Sequence, residues 1–262
     1  MAKIGQKVER ESNLRARIIA RLDVKAPNVV KGINLEGLRV VGSPDALAQK
    51  YYSEGIDELL YIDIVASLYQ RNSILDIVSR TADEVFIPIT VGGGIRTLED
   101  ARRVLRAGAD KVAINTAAVS NPSLISELAN TFGSQCVVVN VEAKAVGAKK
   151  WEAFSDNGRE HTDRDAVEWI LQAQELGAGE ILLTSVDHEG LGRGCDLDLI
   201  DAVAAHMKVP LIISGGVGSP EDALKAVRHG ADAVAMAHIL HYGHNTISQV
   251  KSYLGEMGVQ CR

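Results

Sequence analysis

AGADKVAINT at residues 107–116 returns as HGADAVAMAH at 229–238, so that Ala231 repeats Ala109 at a distance of 122 residues. The same shift carries Gly93 of TVGGGI onto Gly215 of IISGGV, and Gly55 of EGIDELLYIDI onto Gly177 of LGAGEILLTSV. Three separate matches at one offset mark two fused halves. Each half holds four short apolar runs of strand character. A chain of two such halves is expected to close as an α/β (β/α)8 TIM barrel with an approximate twofold axis, its site built twice over.

The eight runs are 18–23, 59–64, 86–91, 111–115, 136–141, 180–185, 210–214 and 232–237. They are rich in Ile, Val and Leu with little alternation, as parallel strands buried on both faces require. Amphipathic stretches between them predict helices at 44–54, 70–83, 98–107, 122–131, 164–176, 196–207, 220–229 and 246–257. Ser43-Pro44, Asn121-Pro122 and Ser219-Pro220 each place a capping residue before a proline suited to the first helical turn. Thr97 with Asp100, and Ser219 with Asp222, have the spacing of a capping box.

Composition excludes several classes. Against 28 Lys and Arg stand 34 Asp and Glu, a formal charge of −6, so neither nucleic acid nor a membrane surface is the expected partner. With 46% apolar and 24% charged residues, the chain is globular rather than disordered. Cys136, Cys195 and Cys261 are too few and too far apart for a disulfide framework or a zinc site. No signal peptide or spanning segment is legible, and a reducing cytoplasm is expected. Residues 1–14 read as an extension before a single barrel domain at 15–262. His238, His241 and His244 lack a neighbouring carboxylate or third ligand on one face, so no metal and no cofactor are expected.

Functional groups of such a barrel sit at the C-terminal strand ends. Asp23 ends the first strand and Glu142 the fifth, 119 residues later, so the two carboxyls are expected to face each other across the mouth. That arrangement suits a general acid and a general base on opposite sides of one substrate. The third and seventh strands end in Gly92-Gly93-Gly94 and Ser214-Gly215-Gly216, the fourth and eighth in Asn115-Thr116 and Ala237-His238. Glycine there lets backbone N–H groups approach an anion, so two related phosphate sites are expected, with Glu189-Gly190 bordering the second. At the opposite strand ends stand Arg17, Glu58, Lys111 and Glu180, a ring of alternating charge.

These residues resemble a known family. RIIARLDVK, VVKGINLEGLR, GIDELLYIDIVAS, TVGGGIRTLEDA, GADKVAINTAAVSNPSLI, FGSQCVVV, GAGEILLTSVDHEG and IISGGVGSPED are similar to the cyclase subunit of imidazole glycerol phosphate synthase, the HisF family, from about Arg17 to the C-terminus. The resemblance implies a cyclase of histidine biosynthesis that takes ammonia from a glutaminase subunit, as a heterodimer. Its substrate would be a phosphoribulosyl-formimino aminoimidazole carboxamide ribonucleotide, which carries two phosphates. Asp23 and Glu142 would be the acid–base pair. Gly94, Asn115 and Thr116 would hold one phosphate; Glu189, Gly190, Gly216, Ala237 and His238 would border the other. Lys31 would lie in a loop that closes over substrate. Arg17, Glu58, Lys111 and Glu180 would gate an ammonia passage, and Asp110 would help dock the glutaminase.

The chain departs from the family pattern at several places on the catalytic face. Glu142 and Glu189 each replace a usual Asp, Arg21 a usual Cys, His238 a usual Ser, and Ala26-Pro27-Asn28 a usual Asp-Gly. Thr162-Asp163 stands for Thr-Gly, whereas the charged ring is kept whole. The alternative these departures imply is a paralogue that delivers ammonia to another acceptor, such as a nucleotide-sugar of surface polysaccharide synthesis.

Overall fold

Strand β1 (Arg15–Lys25) begins a closed ring of eight parallel strands in a computed structural model that describes residues 15–66 and 74–262. The hairpin β2 (Asn28–Ile33) and β3 (Glu36–Gly42) follows it. The ring continues with β4 (Glu58–Asp63), β5 (Ile89–Gly92), β6 (Lys111–Ile114) and β7 (Val137–Gly147). After β8 (Lys150–Ser155) and β9 (Glu160–Asp165) it resumes with β10 (Glu180–Ser185), β11 (Leu211–Ser214) and β12 (Ala233–Met236). The order β1-β4-β5-β6-β7-β10-β11-β12 returns to β1, closing the (β/α)8 barrel that the repeat predicts. In that order β1 and β7 stand four places apart in eight, on opposite sides of the barrel. A short β13 (Gln260–Cys261) pairs with the start of β1.

Helices α1 (Pro44–Ser53), α2 (Leu75–Glu84) and α3 (Leu98–Arg106) pack outside the first half. Short α4 (Thr116–Ser120), then α5 (Ser123–Phe132), α6 (Ala166–Glu175) and α7 (Leu197–Ala204) follow. Last come α8 (Pro220–Arg228), short α9 (His238–His241) and α10 (Ile247–Glu256). The capping boxes of Thr97 with Asp100 and Ser219 with Asp222 form as read, at matching places in the two halves. Ser43 caps α1, but Asn121 caps nothing with its side chain; its oxygen accepts from the Ser123 hydroxyl instead. The start of the helix expected at 70–83 and the extension at 1–14 lie outside the described residues. Residues 164 and 165 belong to β9, where the Asp165 side chain caps α6. Residues 86–88 precede β5 rather than joining it, with Phe86 exposed ahead of Pro88. Among the described residues no helix is long and apolar enough to cross a membrane.

The period-two alternation of each strand sorts two apolar clusters. Ile18, Ala20 and Leu22 of β1 face outward to the helices. Ile19 faces the interior with Leu60, Ala113, Val138, Leu182, Ile212 and Ala233. Arg21 and Asp23 continue the inward row toward the mouth. The interior is therefore layered: charged ring, apolar belt, polar layer, and then the two carboxyls.

Candidate active site

Strand starts assemble the charged ring. Arg17 pairs with Glu58 (2.7 Å) and Glu180 (3.1 Å), and Lys111 pairs with Glu58 (3.3 Å) and Glu180 (2.9 Å). Each acid thus serves two cations, and the base of the barrel is spanned by four ion pairs. Asp110 is exposed beside this ring, where its carboxylate accepts the N–H of Ile89 at 2.8 Å. Its match in the second half, Asp232, accepts from Leu211 N–H at 2.9 Å. Both tie one strand start to the next.

Asp23 and Glu142 are buried at the mouth, on opposed strands. Burial acts to raise Asp23, but the Arg21 guanidinium and the Lys31 ammonium outweigh it and hold the carboxyl below its ordinary value. Arg21 Nε donates to Asp23 Oδ1 at 2.8 Å, and Lys31 Nζ lies 3.7 Å from Oδ2. Glu142 is pushed up to about 7 by burial, against the lowering effect of Arg21, the Gly158 N–H and Asn140. Its oxygens accept from Asn115 Nδ2 (2.9 Å), the Gly158 N–H (2.8 Å) and Asn140 Nδ2 (3.2 Å). The two mouth carboxyls are therefore pushed in opposite directions, Asp23 toward the ionised form and Glu142 toward the protonated one.

Beside Glu142 opens a cavity of about 540 Å³, lined by Asp63, Gly93, Gly94, Arg96, Asn115, Thr116, Asp156 and Asn157 among others. Gly93 adopts φ +95°, and a Cβ there would meet the Asp63 carbonyl oxygen at 2.2 Å. That close approach is why glycine ends this strand. The matching cradle holds Glu189, Gly190, Gly216, Ala237 and His238, as the sequence placed them, but encloses only about 10 Å³. Three features crowd the loops around it. The His238 ring, stacked on His244 with centroids 5.2 Å apart, stands where the first half has Thr116. Lys31 is buried and ion-paired with Glu189. The hairpin β2–β3 seats on the same loop through Asn34 N–H to Glu189 O at 2.8 Å. A Cβ on Gly190 would strike the Gly32 carbonyl oxygen at 2.2 Å, so glycine admits that seating.

Arg21, Asn140, Thr184 and Ser214 join the site below the carboxyls, and sequence reading assigned none of them a role. Arg21 stands out as a charged residue inside RIIARLD and as a departure from a usual Cys, without a partner or a role. Its placement two residues before Asp23, on the same face, is a consequence of the pleat. Lys31 is buried in a strand of the hairpin, with its pKa lowered to about 8 by burial. His241 bonds Tyr51 through Nδ1 at 2.7 Å, away from His238 and His244. Among the described residues no group of three or more His, Cys, Asp and Glu is placed to hold a metal ion.

The model of the family described as histidine biosynthesis protein matches residues 17–246. An imidazole glycerol phosphate synthase subunit HisF of Legionella pneumophila is 58% identical over 79% of this chain and 97% of its own length. The subunit of the same name from Pyrococcus furiosus is 50% identical over 95% of this chain and 99% of its own. That from Gluconacetobacter diazotrophicus is 49% identical over 95% and 96%. A closed barrel from two like halves, with its charged ring intact and about half of its residues shared with these subunits, belongs to the HisF branch of the histidine biosynthesis protein family.

Proposed function

We propose that this chain is the cyclase subunit of an imidazole glycerol phosphate synthase. It joins ammonia to the bis-phosphate phosphoribulosyl-formimino aminoimidazole carboxamide ribonucleotide. The products are imidazole glycerol phosphate and an aminoimidazole carboxamide ribotide. The observation that carries the reading is the pair of buried carboxyls on opposed strands, one held ionised by two cations and the other pushed up to about 7. Lysis and ring closure require one group to accept a proton and another to deliver one on opposite sides of the substrate.

Gly94, Asn115 and Thr116 receive one phosphate in the open cavity. Glu189, Gly190, Gly216, Ala237 and His238 border the other once Lys31 leaves Glu189 and the hairpin lifts. Closing the same hairpin over bound substrate excludes water. Arg17, Glu58, Lys111 and Glu180 form the inlet for ammonia. With four ion pairs across it, the inlet opens when at least one pair parts. A HisH-like glutaminase docking against the strand-start face, with Asp110 at its rim, is the partner that delivers the ammonia. The acceptor alternative raised by Arg21, Glu142 and His238 gains no support, because relatives at 47–58% identity bear the synthase name.

Purified protein supplied with an ammonium salt at high pH consumes the bis-phosphate substrate and releases the carboxamide ribotide, followed by absorbance. Absence of turnover at every ammonium concentration overturns the assignment.

A further inference from the structure

The two mouth carboxyls occupy matching strands, yet their nearest supports differ by one residue type. Two positions before Asp23 stands Arg21; two positions before Glu142 stands Asn140. Each reaches forward to its own carboxyl, Arg21 Nε to Asp23 at 2.8 Å and Asn140 Nδ2 to Glu142 at 3.2 Å. Thr184 of β10 joins them. Its hydroxyl accepts from Arg21 Nη1 at 3.1 Å and donates to the Asn140 side-chain oxygen at 3.4 Å. Ser214 Oγ accepts from the same Nη1 at 3.0 Å and holds the guanidinium from the side. A continuous chain Asp23–Arg21–Thr184–Asn140–Glu142 therefore crosses the barrel, and all five side chains are buried. It is cationic at one end and a neutral amide at the other.

We propose that Arg21 is a positioning residue that decides which mouth carboxyl carries the proton, keeping Asp23 as the acceptor and leaving Glu142 as the donor. The proposal rests on the reading of these two carboxyls as the acid–base pair. In a low-dielectric interior, two facing carboxylates do not both stay ionised without a cation. The guanidinium hydrogen-bonds one of them directly and is joined to the other by hydrogen bonds only through neutral groups. Lys31 is the second cation at Asp23, but it lies farther off and is shared with Glu189. His241 also faces Asp23 from outside the strand, with its own pKa lowered to about 4 by burial, so it is neutral at working pH. On the Glu142 side, Asp23 acts across the mouth, and Asp63, Arg96 and Asp156 share the cavity wall.

Arg21→Asn makes the two halves alike and is the direct test, with Arg21→Met as a volume-preserving second variant and Arg21→Lys as the conservative one. The readout is the Asp23 titration midpoint in substrate-free protein carrying ¹³C at aspartate side-chain carboxyls, assigned with Asp23→Asn. Removing the cation that touches Asp23 moves that midpoint up by about one pH unit or more, so that Asp23 competes with Glu142 for the proton. The acidic limb of ammonium-driven turnover moves up with it, and Arg21→Lys returns both to within about half a unit. A midpoint that stays within about 0.3 units in both Arg21→Asn and Arg21→Met overturns the proposal, as does a Glu142 that is already ionised at pH 5 in the parent. A shifted midpoint in a protein that never turns over the bis-phosphate overturns the reaction assignment and leaves the charge-setting role of Arg21 standing.

Discussion

The cradle beside Gly94 and the cradle beside Gly216 descend from the same strand–turn–helix pattern, yet one encloses about 540 Å³ and the other about 10 Å³. Their backbones agree: Gly93 and Gly215 both hold positive φ, and both following helices start with a capping box. What differs is the His238 side chain and the hairpin packed on the neighbouring loop. Repetition conserved the scaffold, and these neighbours decide which half is ready for an anion. A duplicated fold therefore need not present two equal sites at rest.

The mouth carboxyls are the sharpest place to break this comparison. Asp23→Asn and Glu142→Gln each remove one proton carrier, and each lowers kcat in the ammonium assay by about 10²- to 10⁴-fold with a smaller change in KM. If either variant keeps near-parental kcat, the two carboxyls are not partners in one reaction.

Burial of Glu142 gives a stability effect of a few kcal/mol. Its folded value of about 7 lies above the ordinary carboxyl value of 4.5, so the folded state holds the proton more tightly. Stability is therefore greatest below about 4.5 and declines as pH rises to about 7. Glu142→Gln escapes that decline and gains about 1–3 kcal/mol over the parent at pH 8, relative to pH 4.5, in urea melts. Asp23 has the opposite sign. Its lowered value contributes stability above the ordinary carboxyl range, which is lost as pH falls through it.

The cradles are compared with inorganic phosphate. In calorimetry the free protein is expected to take up one phosphate on the Gly94 side, and Gly94→Ala is expected to abolish it, because a Cβ there would meet Ala66 Cβ at 2.7 Å. Glu189→Ala, which removes one of the two carboxylate partners of Lys31, is expected to add a second binding event. Equal uptake by both cradles in the parent would erase the difference between the halves. The smallest effect belongs to the strand-start pair. Asp110→Ala and Asp232→Ala each lose one bond to a backbone N–H and each cost about 1 kcal/mol in denaturant unfolding. Values that differ by more than about 0.5 kcal/mol would show that the two halves are not equivalent even at their base.

The hairpin and the interior show how reading from the chain runs out. Strand β3 is largely exposed, and its apolar Leu38, Val40 and Val41 keep no strict period of two, so its pairing with β2 leaves little periodic signal, and the segment reads as a loop. Residues 164 and 165 read as helix because a polar edge strand and a helix start share the same composition. Asp23, Glu142 and the glycine turns were legible because strand ends are marked by a change from apolar to polar residues. Arg21 was legible as a departure close to the site but not as the partner of Asp23. Which way it points follows from the pleat, and what it touches on β10 and β11 follows from closure of the ring.

The linear order of residues by itself determined the barrel, its two halves, the charged ring and the two opposed carboxyls. All of these follow from periodicity, spacing and the rule that chemistry gathers at strand ends. Only the tertiary structure decided that one cradle is open and the other crowded, and that a buried guanidinium supports one carboxyl and an amide the other. Volume and electrostatic environment are properties of packed neighbours far apart in the chain, and no local pattern encodes them.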